Sequence, residues 1–310
     1  MIIWMVLIVI FVLLRPESFA TSANASTILG SQTVLVVLTM ALLIPLTAGD
    51  YDLSIAATLT MSSMVVAILN VQHSVPIAFS VFAAIAVGAA IGFVNGAVVV
   101  YVGIDSFIVT LGTSSILAGM ILWMSGSVTI SGVSQSLVNG VVGTRFLGVP
   151  VAFYYGLVVA CLLWYVLEYT AVGKRLLFVG RGREVAKLTG LRVGRIRLLS
   201  LVASGALGAV AGVLYVGTTG AADPTSGHTF LLPAFAAAFL GATTIRPGRF
   251  NPFGSVLAVY FLVTGITGLQ LLGAQGFVQQ MFYGSALIVA VSLAEVARRR
   301  KVRRAELKLI

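Results

Sequence analysis

The chain has 310 residues, of which 59% are hydrophobic and only 9% charged, with a formal net charge of +10. Soluble domains carry about a quarter charged residues, so composition alone excludes a soluble protein. Fifteen of the nineteen Lys and Arg residues lie in two places, the 170–197 interval and the tail after Ala297, which reads as the retained cytoplasmic charge of a multispan membrane protein and not as a nucleic-acid-binding face.

Met1 to Leu14 is apolar and stops at Arg15-Pro16-Glu17. No basic region precedes it, so it reads as a short first span and not as a cleaved signal. Ile28–Ala48 is the second span and Ile55–Leu69 the third, followed by a short loop over 70–74. Pro76–Val102 is long enough to tilt. Its Gly88, Gly92 and Gly96 share one helical face, which lets another helix approach closely. Ser106–Trp123 is the fifth span, and Ser125–Val149 reads as an external loop. Val151–Tyr169, Leu198–Thr219, Leu232–Ile245, Pro252–Leu272 and Phe277–Ala297 complete the set. Cys161, the single cysteine, can form no intrachain disulfide and is expected to pack in an apolar run.

The fold class expected is therefore all-α: one polytopic transmembrane domain over residues 1–310 with about ten spans. The basic 170–197 loop and the basic tail 298–310 should both be cytoplasmic, and four spans separate them. Counting back places both termini inside, Arg246 and Arg249 inside, and Asp223 and His228 outside. A weak internal repeat is visible. Gly88 to Gly96 followed by Phe107 parallels Gly254 to Gly268 followed by Phe277, as in transporters built from duplicated units. The tail Arg298–Arg304 is expected to anchor in lipid headgroups.

Four stretches carry polar chemistry. In Asp50-Tyr51-Asp52-Leu53-Ser54, Asp52 reads as a helix start at the membrane rim, its carboxylate meeting free N–H groups. Asn95, inside an apolar run, needs a partner on a neighbouring helix or along a polar path. Thr110, Thr113 and their hydroxyl neighbours either bond their own helix carbonyls or form a mildly polar wall suited to a hydroxylated solute. Asp52, Ser54, Asn95, Thr110 and Thr113 are thus the candidates for a translocation path. The fourth stretch is a short helix: Gly182 precedes Arg183-Glu184-Val185-Ala186-Lys187-Leu188-Thr189 and Gly190 ends it. Val185 and Leu188 share an apolar edge, and Glu184 can pair with Lys187. It is either a solvated charge run or a helix that inserts into a cytosolic partner. There is no phosphate-binding G-x-x-x-x-G-K-[ST] loop, no H-E-x-x-H and no G-x-S-x-G elbow, so the chain carries no visible machinery for ATP hydrolysis. Residue chemistry alone also leaves open a secondary transporter or channel working without ATP.

Taken in order, these residues resemble the permease subunits of ribose-type ATP-binding-cassette sugar importers, from about Ile28 to Ala297. Asp52-Leu53-Ser54 resembles the family's G-G-I-D-L-S-V-G segment. Asn95-Gly96 and Phe107-Ile108-Val109-Thr110-Leu111-Gly112-Thr113 resemble its N-G-x-L-V…P-F-I-V-T-L-G-T segment. Gly173-Lys174-Arg175, Gly180, Glu184-Val185-Ala186, Gly190 and Val193 resemble its cytoplasmic loop, and Ser204-Gly205 the span that follows. The chain departs from the family pattern in three places: Asp50-Tyr51 replaces the usual Gly-Ile, Arg181-Gly182-Arg183 stands where Gly-Asn is common, and Gly241-Ala242-Thr243-Thr244-Ile245-Arg246-Pro247-Gly248-Arg249 replaces a more Gly-rich stretch. The resemblance implies that residues 182–190, with Gly182, Arg183, Glu184, Val185, Ala186, Lys187, Leu188 and Gly190, form a coupling helix seated in a separate ATP-binding subunit. It further implies no cofactor in this chain, with ATP and magnesium held by that subunit. A second and identical permease chain, an extracytoplasmic sugar-binding protein and a bacterial-type inner membrane complete the expected setting.

Overall fold

The structure, a computed structural model, describes residues 2–245 and 247–306; Arg246 and the side chains of the basic tail, expected respectively at the inner face and in lipid headgroups, lie outside the described part. The elements in order are α1 (Ile2–Leu14), α2 (Pro16–Phe19), α3 (Ser22–Ser31), α4 (Thr33–Thr47), α5 (Ile55–Ala67), α6 (Ile77–Ala97), α7 (Ser106–Ser125), β1 (Ile130–Ser131), α8 (Gln135–Val138), β2 (Arg145–Phe146), β3 (Val149–Pro150), α9 (Val151–Tyr169), α10 (Ala171–Arg181), α11 (Arg183–Leu188), α12 (Val193–Thr219), β4 (Ala221–Ala222), α13 (His228–Thr244), α14 (Pro252–Leu271) and α15 (Gly276–Glu306). α5, α6 and α8 each run on into a π-type turn, over 68–72, 98–102 and 139–143.

Among the described residues, eight helices are long and apolar enough to cross a bilayer: 24–47, 55–72, 77–102, 106–125, 151–169, 193–219, 252–271 and 276–296. Two shorter apolar helices, 3–14 and 228–244, accompany them. The chain is therefore an all-α multi-pass membrane protein. α12 starts five residues before the expected span, because the polar turns at its head continue the same hydrogen-bonded ladder.

α4 occupies the centre: every residue from Thr33 to Thr47 is buried. A helix apolar all round has no solvent face, and α5, α9, α12, α13 and α14 enclose it. The expected glycine face on α6 meets α12 in antiparallel fashion. A Cβ at Gly92 would overlap the Leu201 carbonyl oxygen, one at Gly88 would lie 2.5 Å from the Ala209 Cβ, and one at Gly96 would lie 3.0 Å from the Leu198 Cα. Gly156 in α9 differs, since a Cβ there would rest 3.4 Å from the Thr33 and Val36 methyl groups, an ordinary contact. Gly156→Ala is therefore expected to leave thermal stability in detergent unchanged, or to raise it by up to about 1 kcal/mol through helix propensity. A lowered midpoint would show α9 packed more tightly than this. Cys161 corrects its expectation: it is exposed on α9, because the face it occupies has no neighbour within this chain.

The loops gather at two ends of the bundle. At one end β1 pairs antiparallel with β4, Ile130 opposite Ala222. At the same end Ser134 N–H donates to Asn70 Oδ1 at 2.8 Å, and Ser26 Oγ donates to the Gly148 carbonyl at 2.8 Å. At the other end Arg249 pairs with Glu168 at 3.2 Å, and Tyr51 N–H donates to Ser106 Oγ at 3.0 Å. α13 links the two ends although, at 17 residues and about 1.5 Å per residue, it is shorter than the hydrocarbon core.

Candidate functional site

The second end of the bundle carries the polar chemistry. α4 closes there: Asp50 N–H donates back to the Pro45 carbonyl at 2.9 Å, and Gly49 takes a left-handed φ of +79° that a side chain would strain. The chain then runs through Asp50 to Ser54 before α5 begins. This five-residue turn is tied to four other helices, α6, α7, α11 and α12.

Asp52 is the hub. Its Oδ1 accepts from Ser54 N–H at 3.1 Å and Ser54 Oγ at 2.6 Å, and its Oδ2 accepts from Ser204 Oγ of α12 at 2.8 Å. Ser54 Oγ in turn accepts from Asn95 Nδ2 of α6 at 2.8 Å, and Asn95 Oδ1 accepts from Thr113 Oγ1 of α7 at 2.6 Å. One turn away, Thr110 Oγ1 accepts from Leu53 N–H at 3.0 Å and donates to the Ser106 carbonyl at 2.7 Å. Asp52, Ser54, Asn95 and Thr110 are buried; Thr113 is half-buried. Burial pushes the Asp52 carboxyl up from its ordinary range, while the hydrogen bonds from Ser54 and Ser204 oppose the rise. Asp52, Ser54, Asn95 and Thr113 thus meet in one hydrogen-bonded chain that ends on Ser204, and Thr110 joins the same turn through the Leu53 N–H. Asp52 is not the helix cap expected from the sequence: the N-cap of α5 is Ser54, without a side-chain cap bond, because the Asp52 carboxylate is turned to Ser54 and to Ser204, where it joins the α4–α5 turn to α12.

Beside this cluster lies a second one. Asp50, fully buried, accepts from Arg197 Nε at 2.8 Å and Nη2 at 2.6 Å, and from Arg183 Nη2 at 2.9 Å. Arg183 Nη2 also donates to the Gly49 carbonyl at 2.7 Å. Sequence reasoning did not single out Asp50, Arg197 or Ser204 as site residues. A signal existed for the first: Asp50 and Arg183 fall in two of the three departures from the family pattern, and in space they are partners.

The expected short helix is present as α11. Gly190, at φ +79°, stops it, and Lys187 Nζ pairs with Glu184 Oε1 at 2.8 Å. Ala186 is its one buried residue, whereas Val185 is 58% exposed and Leu188 88% exposed. An apolar edge pointing away from its own protein suits docking to another surface. The preceding amphipathic helix α10 was not anticipated. Thr170 caps it by accepting from Gly173 N–H at 3.4 Å, and Gly173, Leu176 and Val179 form its buried face. That face was legible as an i, i+3, i+6 stripe, though its basic residues made the segment read as loop. Gly180 lets α10 sit on the end of α4, where a Cβ would overlap the Thr47 carbonyl. Among the described residues no cluster of His, Cys, Asp and Glu is arranged to hold a metal ion.

Apolar helices around a closed polar cluster, with an amphipathic elbow exposed at one end, define a multi-pass membrane transport subunit. The family is equally plain: residues 24–291 match the family described as branched-chain amino acid transport system / permease component, and the chain belongs to it. Membership in this family makes it a transport subunit and not an enzyme. It is 31% identical over 288 residues to the D-allose transport system permease protein of Escherichia coli K12, covering 93% of this chain and 88% of the relative. It is 30% identical over 291 residues to the ribose import permease protein of the same organism, covering 93% and 90%. It is 32% identical over 268 residues to the fructose import permease protein of Rhizobium meliloti, covering 83% and 73%. No solved structure matches it.

Proposed function

We propose that this chain is the permease subunit of an ATP-binding-cassette importer for a monosaccharide or a chemically similar polyhydroxylated solute. The observation that carries the reading is the exposed Val185–Leu188 edge of α11, held at the same end of the bundle as the Asp50–Ser54 turn. A separate ATP-binding subunit holding ATP and magnesium docks on that edge. The relatives' sugars, allose, ribose and fructose, support this substrate class. An extracytoplasmic binding protein delivers the solute, and the membrane is the bacterial inner membrane.

The topology proposed is ten crossings with both termini cytoplasmic, α1 and α13 being the two short ones. Its support is the sorting of loops between two ends of the bundle, with Arg183, Arg197 and Arg249 at one end and Asp223 at the other. An inverted internal repeat of α4–α7 with α12–α15 accompanies it. α4 packs on α13 and α14 as α12 packs on α5 and α6. The turns before α5 and α13 also match: Asp223 Oδ1 accepts from Thr225 N–H and Oγ1, both at 2.7 Å, as Asp52 Oδ1 does from Ser54. A second, identical chain covers part of the apolar surface left open on α7 and α15, where Ile116, Trp123, Met281 and Ile288 are exposed.

The test is co-expression with the partner ATP-binding subunit, followed by co-purification and by uptake of radiolabelled D-allose, D-ribose and D-fructose. Glu184→Arg and Leu188→Glu are each expected to abolish co-purification and uptake while membrane insertion is retained. Unchanged binding in both variants, or uptake by the purified chain without nucleotide, would overturn the proposal.

A further inference from the structure

We propose that Asp50, Arg183 and Arg197 form a charged clasp that ties the coupling helix to the permease body and passes its displacement to the buried polar cluster. This rests on the reading of α11 as the docking element for the ATP-binding subunit. Arg183 is the first residue of α11, Arg197 lies in the opening turns of α12, and Asp50 sits between them on the α4–α5 turn.

The two halves of the clasp differ. Arg197 grips the carboxylate with two nitrogens, at 2.8 and 2.6 Å, and its side chain is 14% exposed. A bidentate, desolvated guanidinium–carboxylate pair is geometrically specific and costly to break. Arg183 reaches one carboxylate oxygen at 2.9 Å with a side chain 38% exposed. With one contact to the carboxylate against the two of Arg197, and the more exposed side chain, Arg183 is the half that opens. The fixed half keeps the turn on α12 whichever way α11 moves.

The turn also distributes what it receives. Tyr51 and Leu53 N–H groups are held by Ser106 and Thr110 of α7, Asp52 by Ser204 of α12, and Ser54 by Asn95 of α6. A shift of Asp50 therefore reaches three helices through bonds one to four residues away. The carbonyl of Gly49 completes the Arg183 seat at 2.7 Å, and its left-handed backbone aims it there.

The experiment uses the full importer with its ATP-binding and sugar-binding subunits in proteoliposomes. Uptake of whichever of D-allose, D-ribose or D-fructose is transported is read beside ATP hydrolysis. Arg183→Gln removes the charge and leaves Val185 and Leu188 in place. The expected result is normal co-purification of the ATP-binding subunit, hydrolysis within about twofold, and uptake lowered about tenfold, in the range of a coupling free energy. Arg183→Lys, which keeps the charge, is expected to recover most of the uptake. Loss of co-purification in Arg183→Gln would make Arg183 a docking contact and overturn the clasp while leaving the importer reading intact. Equal uptake and hydrolysis in wild type and Arg183→Gln would overturn it as well. Failure of the wild-type chain to hold the ATP-binding subunit would remove the importer reading itself.

Discussion

Gly92→Leu is expected to abolish folded permease. The residue sits at the closest approach of α6 and α12, where even a Cβ would overlap the Leu201 carbonyl oxygen and would sit 2.8 Å from the Val202 Cα. Both obstacles are backbone, so no rotamer change on the partner relieves the clash. The neighbouring contacts hold the same separation: Gly205 lies under the Gly88 carbonyl, and Gly96 sits against Leu198. A leucine must push the helices apart along the whole seam. Helix contact in lipid has no hydrophobic driving force to recover it. Overpacking of this kind costs about 1–3 kcal/mol for a single added group, and more where backbone is the obstacle. Fluorescence-detected size exclusion should show aggregate in place of a monodisperse peak, and Gly92→Ala should lower the thermal midpoint without eliminating the peak. A monodisperse Gly92→Leu protein with unchanged stability would show that α6 and α12 do not meet at this face.

Asp52→Leu should have the second-largest effect, and Asp52→Asn a small one. The leucine strands Ser54 N–H, Ser54 Oγ and Ser204 Oγ, all of which now end on the carboxylate. Each stranded buried group costs about 1–3 kcal/mol, less where a hydroxyl can turn to a helix carbonyl, so a loss of about 2–4 kcal/mol is expected. Asparagine keeps the Oδ1 acceptor and offers an N–H to Ser204, whose hydroxyl also accepts, so it should cost about 1 kcal/mol or less. The pH dependence has a defined sign. Burial raises the folded-state pKa of Asp52, so its contribution to stability is present at low pH and lost as pH rises from the unfolded value towards the folded one. The asparagine variant should lose that component. Thermal midpoints in detergent, followed over a pH series that starts in the ordinary carboxylate range and rises, measure both effects. Equal destabilisation by leucine and asparagine would mean that the carboxylate is bound as a charge and not as a hydrogen-bond hub.

These two sites differ in how visible they were beforehand. The Gly88–Gly92–Gly96 face is a period-four pattern in an apolar run, and its meaning depends only on helix geometry. The helix that fills it, α12, had no signal pairing it with α6. The same holds for Asp52, Ser54, Asn95, Thr110 and Thr113. Each stood out as a polar residue beside or within an apolar stretch, but their union depends on the α4–α5 turn folding between α6, α7 and α12. Cys161 shows the opposite case, where an apolar neighbourhood in sequence suggested packing and the helix face proved open.

Sequence alone determined the membrane setting, the places of the apolar helices and the short charged helix with its glycine stop. These follow from hydropathy, charge asymmetry and local backbone preference, which act over a few turns of chain. Tertiary structure alone decided that Asp50 is a buried carboxylate shared by Arg183 and Arg197, more than a hundred positions away. It also decided that α10 is a helix resting on the end of α4, and that the polar residues of four separate segments satisfy one another. Long-range pairing of buried charge and hydrogen-bonding groups is set by which helices pack together, and that depends on the shape of every interface at once.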